Sequence, residues 1–394
     1  MMSYRFARKA VSVAACLLFA GIITPHLSAE TIEAQKSDVR QPFAPAFVVH
    51  GAPRERGIAY GKQFRDGIHI FLAQEIYDAL SGNPSSKEEL LRYAAACGKA
   101  TREVCPMVAE EIEGIAEGAG LSYDEIILIH SHEEVYQGRK LPTAYEGHCT
   151  AAAVSPKDSG DGRTYVGQTW DWMTRLAGVS SVTEWHRDDA ASVLAYGYPG
   201  MPIGAGMNSQ GIALCWTSGV LKKDDKTSPR VGVPAYAMIT HLLAQRDIES
   251  VIREAKRDKH AGWFTFVMAD AYGNLVNIEG SPRGVEIERS NDRLARHGFG
   301  TRTMTEAKPG KGVELQPLCQ QMYKLLEHTT GKNDRKTLER YLTGREYGIM
   351  GWKSPKNKTI DVMIFDTAAR KAYFSRGPEY GLEWREFGFH DSKQ

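Results

Sequence analysis

The chain has 394 residues, of which 42% are hydrophobic and 25% are charged. This composition is typical of a globular protein and excludes a fibrous or intrinsically disordered chain. Lysine and arginine number 49 against 48 aspartate and glutamate residues, which gives a formal net charge of +1. A nearly neutral chain has no broad electrostatic field to attract nucleic acid or anionic lipid, so we expect a small-molecule partner.

Residues 1–29 have the pattern of a secretory signal peptide. Basic side chains precede the apolar run 10–23, and small or polar residues follow up to Ala29. Cleavage after Ala29 predicts a periplasmic or secreted protein with no membrane attachment after signal removal. One alternative is an uncleaved anchor, although a spanning helix needs about 20 apolar residues. Another is a lipoprotein, because residues 13–16 (Val-Ala-Ala-Cys) resemble a lipobox.

Five cysteines remain after signal removal: Cys97, Cys105, Cys149, Cys215 and Cys319. An odd number leaves at least one thiol free. Cys97 and Cys105 could form a disulfide in an oxidising compartment, or each could be a small buried side chain. We expect Cys215, in an apolar strand pattern, and Cys319, on an apolar helix face, to lie in the core.

Residues 30–148 are expected to be mainly helical. The segment 51–61 (GAPRERGIAYG) is rich in turn residues and opens into a helical pattern that continues to residue 80. A second helical stretch is predicted from Lys87 to about Ala116, because apolar residues recur there at steps of three and four.

From Cys149 onward the pattern predicts hairpins with two intervening helices. The predicted strands are 149–154, 164–170, 192–196, 212–217, 263–270, 275–279, 285–288, 360–366 and 371–374. The predicted helices are 234–256 and 315–328. Consecutive hairpins at this spacing indicate antiparallel sheets, whose faces the helices must cover. We therefore expect an α+β layered protein.

Cys149 and Asp171 are expected to be neighbours, because one starts a predicted strand and the other ends its hairpin partner. A carboxylate raises the pKa of a nearby thiol, so the pair alone lacks a base. If Cys149 becomes the first residue of a chain, its own α-amine, with a pKa of about 8, can take the thiol proton. The alternative is an unreactive cysteine half-buried in a strand.

Three motifs occur in order: 147–150 (Gly-His-Cys-Thr), 167–172 (Gly-Gln-Thr-Trp-Asp-Trp) and 206–212 (Gly-Met-Asn-Ser-Gln-Gly-Ile). Together with the segment 51–61, Glu134 and the segment 360–366, they resemble the isopenicillin N acyltransferase family of autoproteolytic acyltransferases and hydrolases. That family is a branch of the N-terminal nucleophile hydrolases. The resemblance implies an α+β fold, namely a four-layer αββα sandwich with two antiparallel sheets.

The resemblance also implies roles for single residues. The chain would cut itself between His148 and Cys149, leaving a small subunit 30–148 and a large catalytic subunit 149–394 as a heterodimer. Cys149 would then be the N-terminal nucleophile, and Asp171 would hold its amine. Asn208 matches an asparagine that donates to the oxyanion, although asparagine also marks ordinary turns.

The sequence departs from the family pattern at several positions. Ala151 stands where the family often has a hydroxyl residue two positions after the nucleophile. Arg296-His297 stands near an expected asparagine followed by histidine, and Arg296 or His297 could still stabilise an oxyanion. The basic residue before the last sheet strand would be Lys356 or Lys358.

Trp170 and Trp216 are expected to line a substrate pocket, with burial in the core as the alternative. His130 and His132 lack the helical spacing of a zinc protease, so we expect no metal and no cofactor. The glycine-rich segment 197–206 lacks the lysine and hydroxyl residue of a phosphate loop and is interpreted as a flexible edge beside the pocket.

The predicted activity is that of a thiol amide hydrolase or acyltransferase. Its substrates would be small N-acylated compounds such as N-acyl amino acids or β-lactam side-chain amides. One alternative is a secreted binding protein of the same fold without catalysis. Another is a metallohydrolase that uses His130 and His132.

Overall fold

The computed structural model describes residues 42–78, 86–138, 149–218, 230–257, 259–298, 300, 315–351, 357–377 and 383–390. The predicted signal segment 1–29, His148 and Lys356 lie outside these residues. No helix in the described ranges is long and apolar enough to span a membrane.

Helices dominate the first described part of the chain, and strands dominate the part after Cys149. The helices are α1 (Pro53–Gln63), α2 (Arg65–Phe71), α3 (Lys87–Val104), α4 (Pro106–Ala119), α5 (Tyr123–His130), α6 (His132–Gly138), α7 (Ala235–Leu243), α8 (Ile248–Ala255), α9 (Pro317–His328) and α10 (Arg335–Thr343). The strands are β1 (Phe47–Val49), β2 (Thr150–Val154), β3 (Tyr165–Met173), β4 (Ser181–Trp185), β5 (Val193–Tyr198), β6 (Met201–Asn208), β7 (Ala213–Ser218), β8 (Phe264–Ala269), β9 (Leu275–Ser281), β10 (Gly284–Ser290), β11 (Arg293–Arg296), β12 (Asn357–Asp366), β13 (Lys371–Arg376) and β14 (Trp384–Gly388). A π-helical segment, Leu72–Asp78, follows α2.

Two sheets form the central layers of the molecule. The first has the strand order β1-β4-β5-β6-β7-β8-β9-β10, and the second has the order β11-β2-β3-β12-β13-β14. Their inner faces meet where β2 and β3 contact β7 and β8, while α7 and α8 cover the first sheet and α9 and α10 cover the second. The expected four-layer αββα sandwich is confirmed. One detail is corrected, because β1 pairs with β4 in parallel.

The segment 51–61 forms most of helix α1, where the sequence predicted a turn-rich segment. Gly57 of α1 faces Gly114 of α4, and a Cβ added at Gly57 would lie 2.1 Å from the carbonyl oxygen of Glu111. Glycine is therefore needed here because two helix backbones approach closely, a use that differs from its usual freedom of φ in turns. The turn prediction was wrong for this reason.

Both long predicted helices are divided in two. The first breaks at Cys105, because Pro106 has no N–H to donate and begins α4 instead. The second ends at Leu243, and a new helix starts after Asp247, whose carboxylate accepts a hydrogen bond from the N–H of Ser250 at 2.7 Å. Cys97 and Cys105 are both buried free thiols, so they do not form the disulfide considered from the sequence.

The glycine-rich segment 197–206 belongs largely to the buried strand β6 and is not a flexible edge. A Cβ added at Gly204 would lie 3.1 Å from the ring of Trp170. The small residues thus let β6 pack beneath a large indole of the opposite sheet. This corrects the interpretation from composition, in which glycine indicated flexibility.

Candidate active site

Cys149 stands immediately before β2, and Asp171 lies in the paired strand β3. The two strands are antiparallel, with Thr150 opposite Thr169. This register sets the sulfur of Cys149 against the backbone of Asp171, whose N–H donates to Sγ at 3.4 Å. The carbonyl oxygen of Asp171 lies 3.9 Å from the same sulfur. The structure therefore brings the two residues together.

The carboxyl group of Asp171 is buried and fixed by the neighbouring strand. Thr359 lies opposite Asp171 on β12, and its hydroxyl donates to Oδ1 of Asp171 at 2.5 Å. The same hydroxyl accepts the N–H of Gly351 at 2.9 Å, which leaves its proton directed to the carboxyl. Burial raises the pKa of Asp171 to about 7, against the opposing effect of hydrogen bonds from Thr359 and Thr169.

Gly351 packs close to the second carboxyl oxygen of Asp171. A Cβ added at Gly351 would lie 3.1 Å from Oδ2, so any larger residue there would press on the carboxyl group. Glycine thus allows this close approach. The supporting roles of Thr359 and Gly351 carried no local signal in the sequence, because they depend on pairing with a strand far along the chain.

The thiol of Cys149 is in an unfavourable environment for ionisation. Burial, and secondarily the charge of Asp171, raise its pKa well above the ordinary value. Thiols react as thiolates, so this sulfur needs a base close by. In the uncut chain the nitrogen of Cys149 is part of a peptide bond and cannot serve as one.

Arg296 and His297 lie on the other side of β2. Arg296 pairs opposite Ala151, and its buried guanidinium donates to Glu279 at 3.2 Å and to Glu288. These carboxylates engage its N–H groups, which favours a structural role for Arg296 as a cross-link between the sheets over an oxyanion role. His297 lies next to β2, with Nδ1 3.1 Å from the hydroxyl oxygen of Thr150.

Asn208 closes the turn between β6 and β7. Its side-chain oxygen accepts hydrogen bonds from the N–H groups of Gln210 and Ile212 at 3.0 and 2.9 Å. Its amide nitrogen donates to the carbonyl oxygens of Leu243 and Gln245 at 3.0 and 2.7 Å. Both amide hydrogens are therefore occupied. These contacts favour the turn alternative over the oxyanion role.

We expect Asn208→Ala to reduce stability and to leave the chemistry per folded molecule nearly unchanged. The substitution removes four hydrogen bonds and strands buried backbone groups, each worth about 1–3 kcal/mol when unsatisfied. Denaturant unfolding should show a loss of at least about 2 kcal/mol, while the exposed Asn291→Ala control should unfold like the unaltered protein. A large fall in kcat at unchanged stability would instead restore Asn208 as the oxyanion donor.

Trp170 and Trp216 fill the space between the sheets. They are 2% and 3% exposed, and their ring centroids are 6.3 Å apart. Such burial matches the core alternative for both side chains. Within the described residues the indole N–H of Trp216 has no hydrogen-bond acceptor, so it is a donor that a ligand could meet.

Glu134 connects the segment before the predicted cut with the segment after it through a hydrogen bond. It is 1% exposed, and its Oε1 accepts the N–H of Ala235, the first residue of α7, at 2.8 Å. Gly262 permits this approach, since a Cβ there would lie 2.7 Å from the Glu134 side chain. Burial raises the pKa of Glu134 to about 8, so it is mainly protonated at neutral pH.

His130 and His132 lie shortly before Glu134 in the chain, and both are buried. Burial lowers the pKa of each to about 3, so both rings are neutral at physiological pH. The ring of His132 packs on Tyr136 and Trp172, with centroids 4.4 and 5.1 Å away. Among the described residues, no three or more His, Cys, Asp or Glu side chains are grouped so that they could hold a metal.

A family model described as "Acyl-coenzyme A:6-aminopenicillanic acid acyl-transferase" matches residues 158–379. This range is more than half of the 394 residues. The chain belongs to this family. The match includes Asp171 and Thr359 and begins after Cys149.

Similar solved structures include a variant of conjugated bile acid hydrolase from Clostridium perfringens and penicillin V acylase from Agrobacterium tumefaciens. The hydrolase is 12% identical over 61% of this chain and 97% of its own, with a TM-score of 0.41. The acylase is 12% identical over 58% of this chain and 83% of its own, with a TM-score of 0.43. No match was found among curated proteins.

Proposed function

We propose that this member of the acyltransferase family is an amide hydrolase that cuts its own chain between His148 and Cys149. Cys149 then acts as an N-terminal nucleophile. The observation that carries the proposal is the position of its sulfur, which receives the N–H of Asp171 at 3.4 Å beside a buried carboxyl group. Family membership supports acyl transfer as the class of chemistry.

Maturation is proposed as an acyl shift from nitrogen to sulfur. The thiol of Cys149 attacks the carbonyl carbon of His148, a C–S bond forms, and the C–N bond of the peptide breaks. The thiol proton passes to the departing nitrogen. Water then hydrolyses the thioester, which releases the carboxylate of His148 and restores the thiol beside a free α-amine.

In turnover the free amine of Cys149 supplies the missing base. It takes the thiol proton, and the resulting ammonium lies next to Asp171. The positive charge of the ammonium favours the ionised form of the Asp171 carboxyl group and lowers its pKa below the value in the uncut chain. The thiolate attacks the substrate amide, the amine product leaves with a proton, and water releases the acyl group.

Water is the preferred acyl acceptor in this proposal. The predicted signal peptide sends the protein to the periplasm or outside the cell, away from the cytoplasmic pool of acyl-coenzyme A. N-acyl amino acids and β-lactam side-chain amides are the proposed substrates. Transfer of the acyl group to another amine would use the same acyl-enzyme.

Contacts across the proposed cut support a stable heterodimer after cleavage. Glu111 from the small subunit forms a buried ion pair with Arg187 from the large one, with N and O atoms 2.8 Å apart. The hydroxyl of Tyr60 donates to the carbonyl oxygen of Tyr198 at 3.0 Å. Apolar residues from both segments also share one core, so separation would break these contacts and expose apolar surface to water, which is costly.

The mass of the purified protein tests the proposal directly. We expect two fragments of 119 and 246 residues, spanning 30–148 and 149–394, and N-terminal sequencing should find Cys149 first in the larger one. A catalytically active preparation with an intact bond before Cys149 would refute the mechanism. An uncut chain that binds ligand without turnover would favour the binding-protein alternative.

A further inference from the structure

A cavity of about 1,170 Å³ lies between the N-terminal helices and the segment that follows β3. Cys149 is not part of its wall. Phe47 and Phe71 contribute from before the proposed cut, and Leu176 and Val179 contribute from after it. A largely apolar cavity of this size, built by both proposed subunits, is typical of a small-molecule site.

The inner end of the cavity is polar but electrically balanced. Arg376 and Ser180 line it and are 3% and 4% exposed. Arg376 donates to the hydroxyl of Ser180 at 2.6 Å and lies 3.4 Å from a carboxylate oxygen of the buried Asp361. The charge of Arg376 is thus neutralised by Asp361, so this end does not select for an anion.

The charged side chains at the exposed opening of the cavity, called its mouth here, are also largely paired, with a small excess of positive charge. Arg175 is paired with Glu75 through two hydrogen bonds of 2.8 and 2.7 Å. Lys62, Arg65 and Asp66 are exposed at the junction of α1 and α2. A ligand with an apolar body therefore fits the cavity, and any negative group it carries is best placed at the exposed mouth.

The strand register fixes how far this cavity lies from the nucleophile. Continuing the pairing of β2 with β3 by one position sets Cys149 opposite Trp170, which lies opposite Asp361, which in turn lies opposite Arg376. Three steps of about 4.8 Å give a separation of about 14 Å between the backbones of Cys149 and Arg376. The cavity is therefore within reach of one extended substrate.

Aromatic rings connect the cavity wall with the catalytic pair. Phe71 lines the cavity, and its ring centroid lies 6.4 Å from that of Trp172, the residue directly after Asp171. The strand that carries Asp171 also continues into Arg175 and Leu176 of the cavity wall. Buried aromatic side chains thus fill the region between the sulfur and the cavity, so an acyl chain from Cys149 reaches the cavity by displacing rings such as those of Phe71 and Trp172.

We infer that this cavity holds the acyl chain of the substrate whose amide Cys149 attacks. A separation of about 14 Å corresponds to an unbranched acyl group of about ten or more carbon atoms, given C–C bonds of about 1.5 Å. The inference rests on the proposed function and narrows its substrates to N-acyl compounds with medium or long chains. The amine part, including any carboxylate, stays outside the cavity.

Val179→Trp tests the inference by filling the cavity, and Val231→Trp is the matched control on an exposed site, 57% accessible to solvent. Binding of a dansyl-labelled undecanoic acid is measured on Cys149→Ala chains, which need no catalysis. We expect Val179→Trp to weaken binding about tenfold or more, and Val231→Trp to leave it unchanged. Ile70→Trp, at another position of the wall, is the second variant should Val179→Trp fail to fold.

The same substitutions are then placed in the chain with Cys149 intact. Val179→Trp should raise KM about tenfold for an N-dodecanoyl amino acid and leave KM for the N-acetyl compound unchanged. Unaltered probe binding by Val179→Trp would overturn the inference. Weaker probe binding with an unchanged KM for the N-dodecanoyl compound would also overturn it, because it would show a fatty-acid site separate from catalysis. Failure of the unaltered protein to hydrolyse either the N-dodecanoyl or the N-acetyl compound would refute the proposed function instead.

Discussion

We expect the Cys149→Ala chain to stay uncut and to hydrolyse no amide. The substitution removes the sulfur that is proposed to attack His148 in maturation and to act as the nucleophile in turnover, so both steps should fail together. Mass spectrometry should find one chain from residue 30 to residue 394. Hydrolysis of N-acyl amino acids should fall by at least about 10⁴-fold, as expected when a covalent nucleophile is removed.

Cys215→Ala is the matched control for this prediction. Cys215 is a fully buried free thiol on β7, so its loss removes a sulfur without touching the bond before Cys149. This variant should cut itself and turn over substrate normally. Complete cleavage of the Cys149→Ala chain would refute self-processing. Activity that survives in it and is lost with a chelator would point to the metallohydrolase alternative at His130 and His132.

The pairing of Cys149 with Asp171 could be predicted because it depends on a local pattern. Two apolar runs joined by a Gly/Asp/Pro-rich loop predict a hairpin, and a hairpin brings the start of one strand to the end of the next. The structure differs only in bounds, with β2 starting at Thr150 and β3 continuing to Met173. Local order along the chain was sufficient in this case.

Glycine misled the sequence analysis where tertiary contacts decide its use. Gly57 and Gly204 both stand in segments that composition assigns to turns or flexible edges. In the structure the first lets α1 approach α4, and the second leaves room for the indole of Trp170. Neither the facing helix nor the opposite sheet can be read from the surrounding residues, so the local signal gave the wrong structure.

The roles of polar site residues depend on partners remote in the sequence. Thr359 supports Asp171 from 188 positions away, and Arg296 is neutralised by Glu279 on the other sheet. A motif can indicate that Arg296 stands near the nucleophile, but only its partners decide whether its donors are available. Short strands were missed for a related reason, since β1 and β11 have three and four residues and show little periodicity.

Asp171→Asn is expected to slow self-cleavage and turnover by about 10²–10⁴-fold, the range for a group that acts on protons in the transition state. Asparagine keeps the size of the side chain and the hydrogen bond from Thr359, but it cannot balance the proposed ammonium group of Cys149. The rate of cleavage is measured on freshly refolded precursor, and kcat on the fraction that has matured. Equal rates for Asp171→Asn and the unaltered chain would contradict the role assigned to the carboxyl group.

Asp171→Asn should also change the pH dependence of the free energy of unfolding, which can be measured without catalysis. In the uncut chain burial raises the pKa of Asp171 from 3.8 to about 7, so the folded state holds this proton more tightly than the unfolded state. The stabilisation is complete below pH 3.8 and is lost as pH rises through 7, because the slope follows the protons bound in excess by the folded state. The free energy of unfolding of Cys149→Ala should therefore decrease over this interval, and Asp171→Asn added to it should flatten the decrease. Thr359→Val should move the decrease to higher pH, because the lost hydrogen bond favoured the ionised carboxyl.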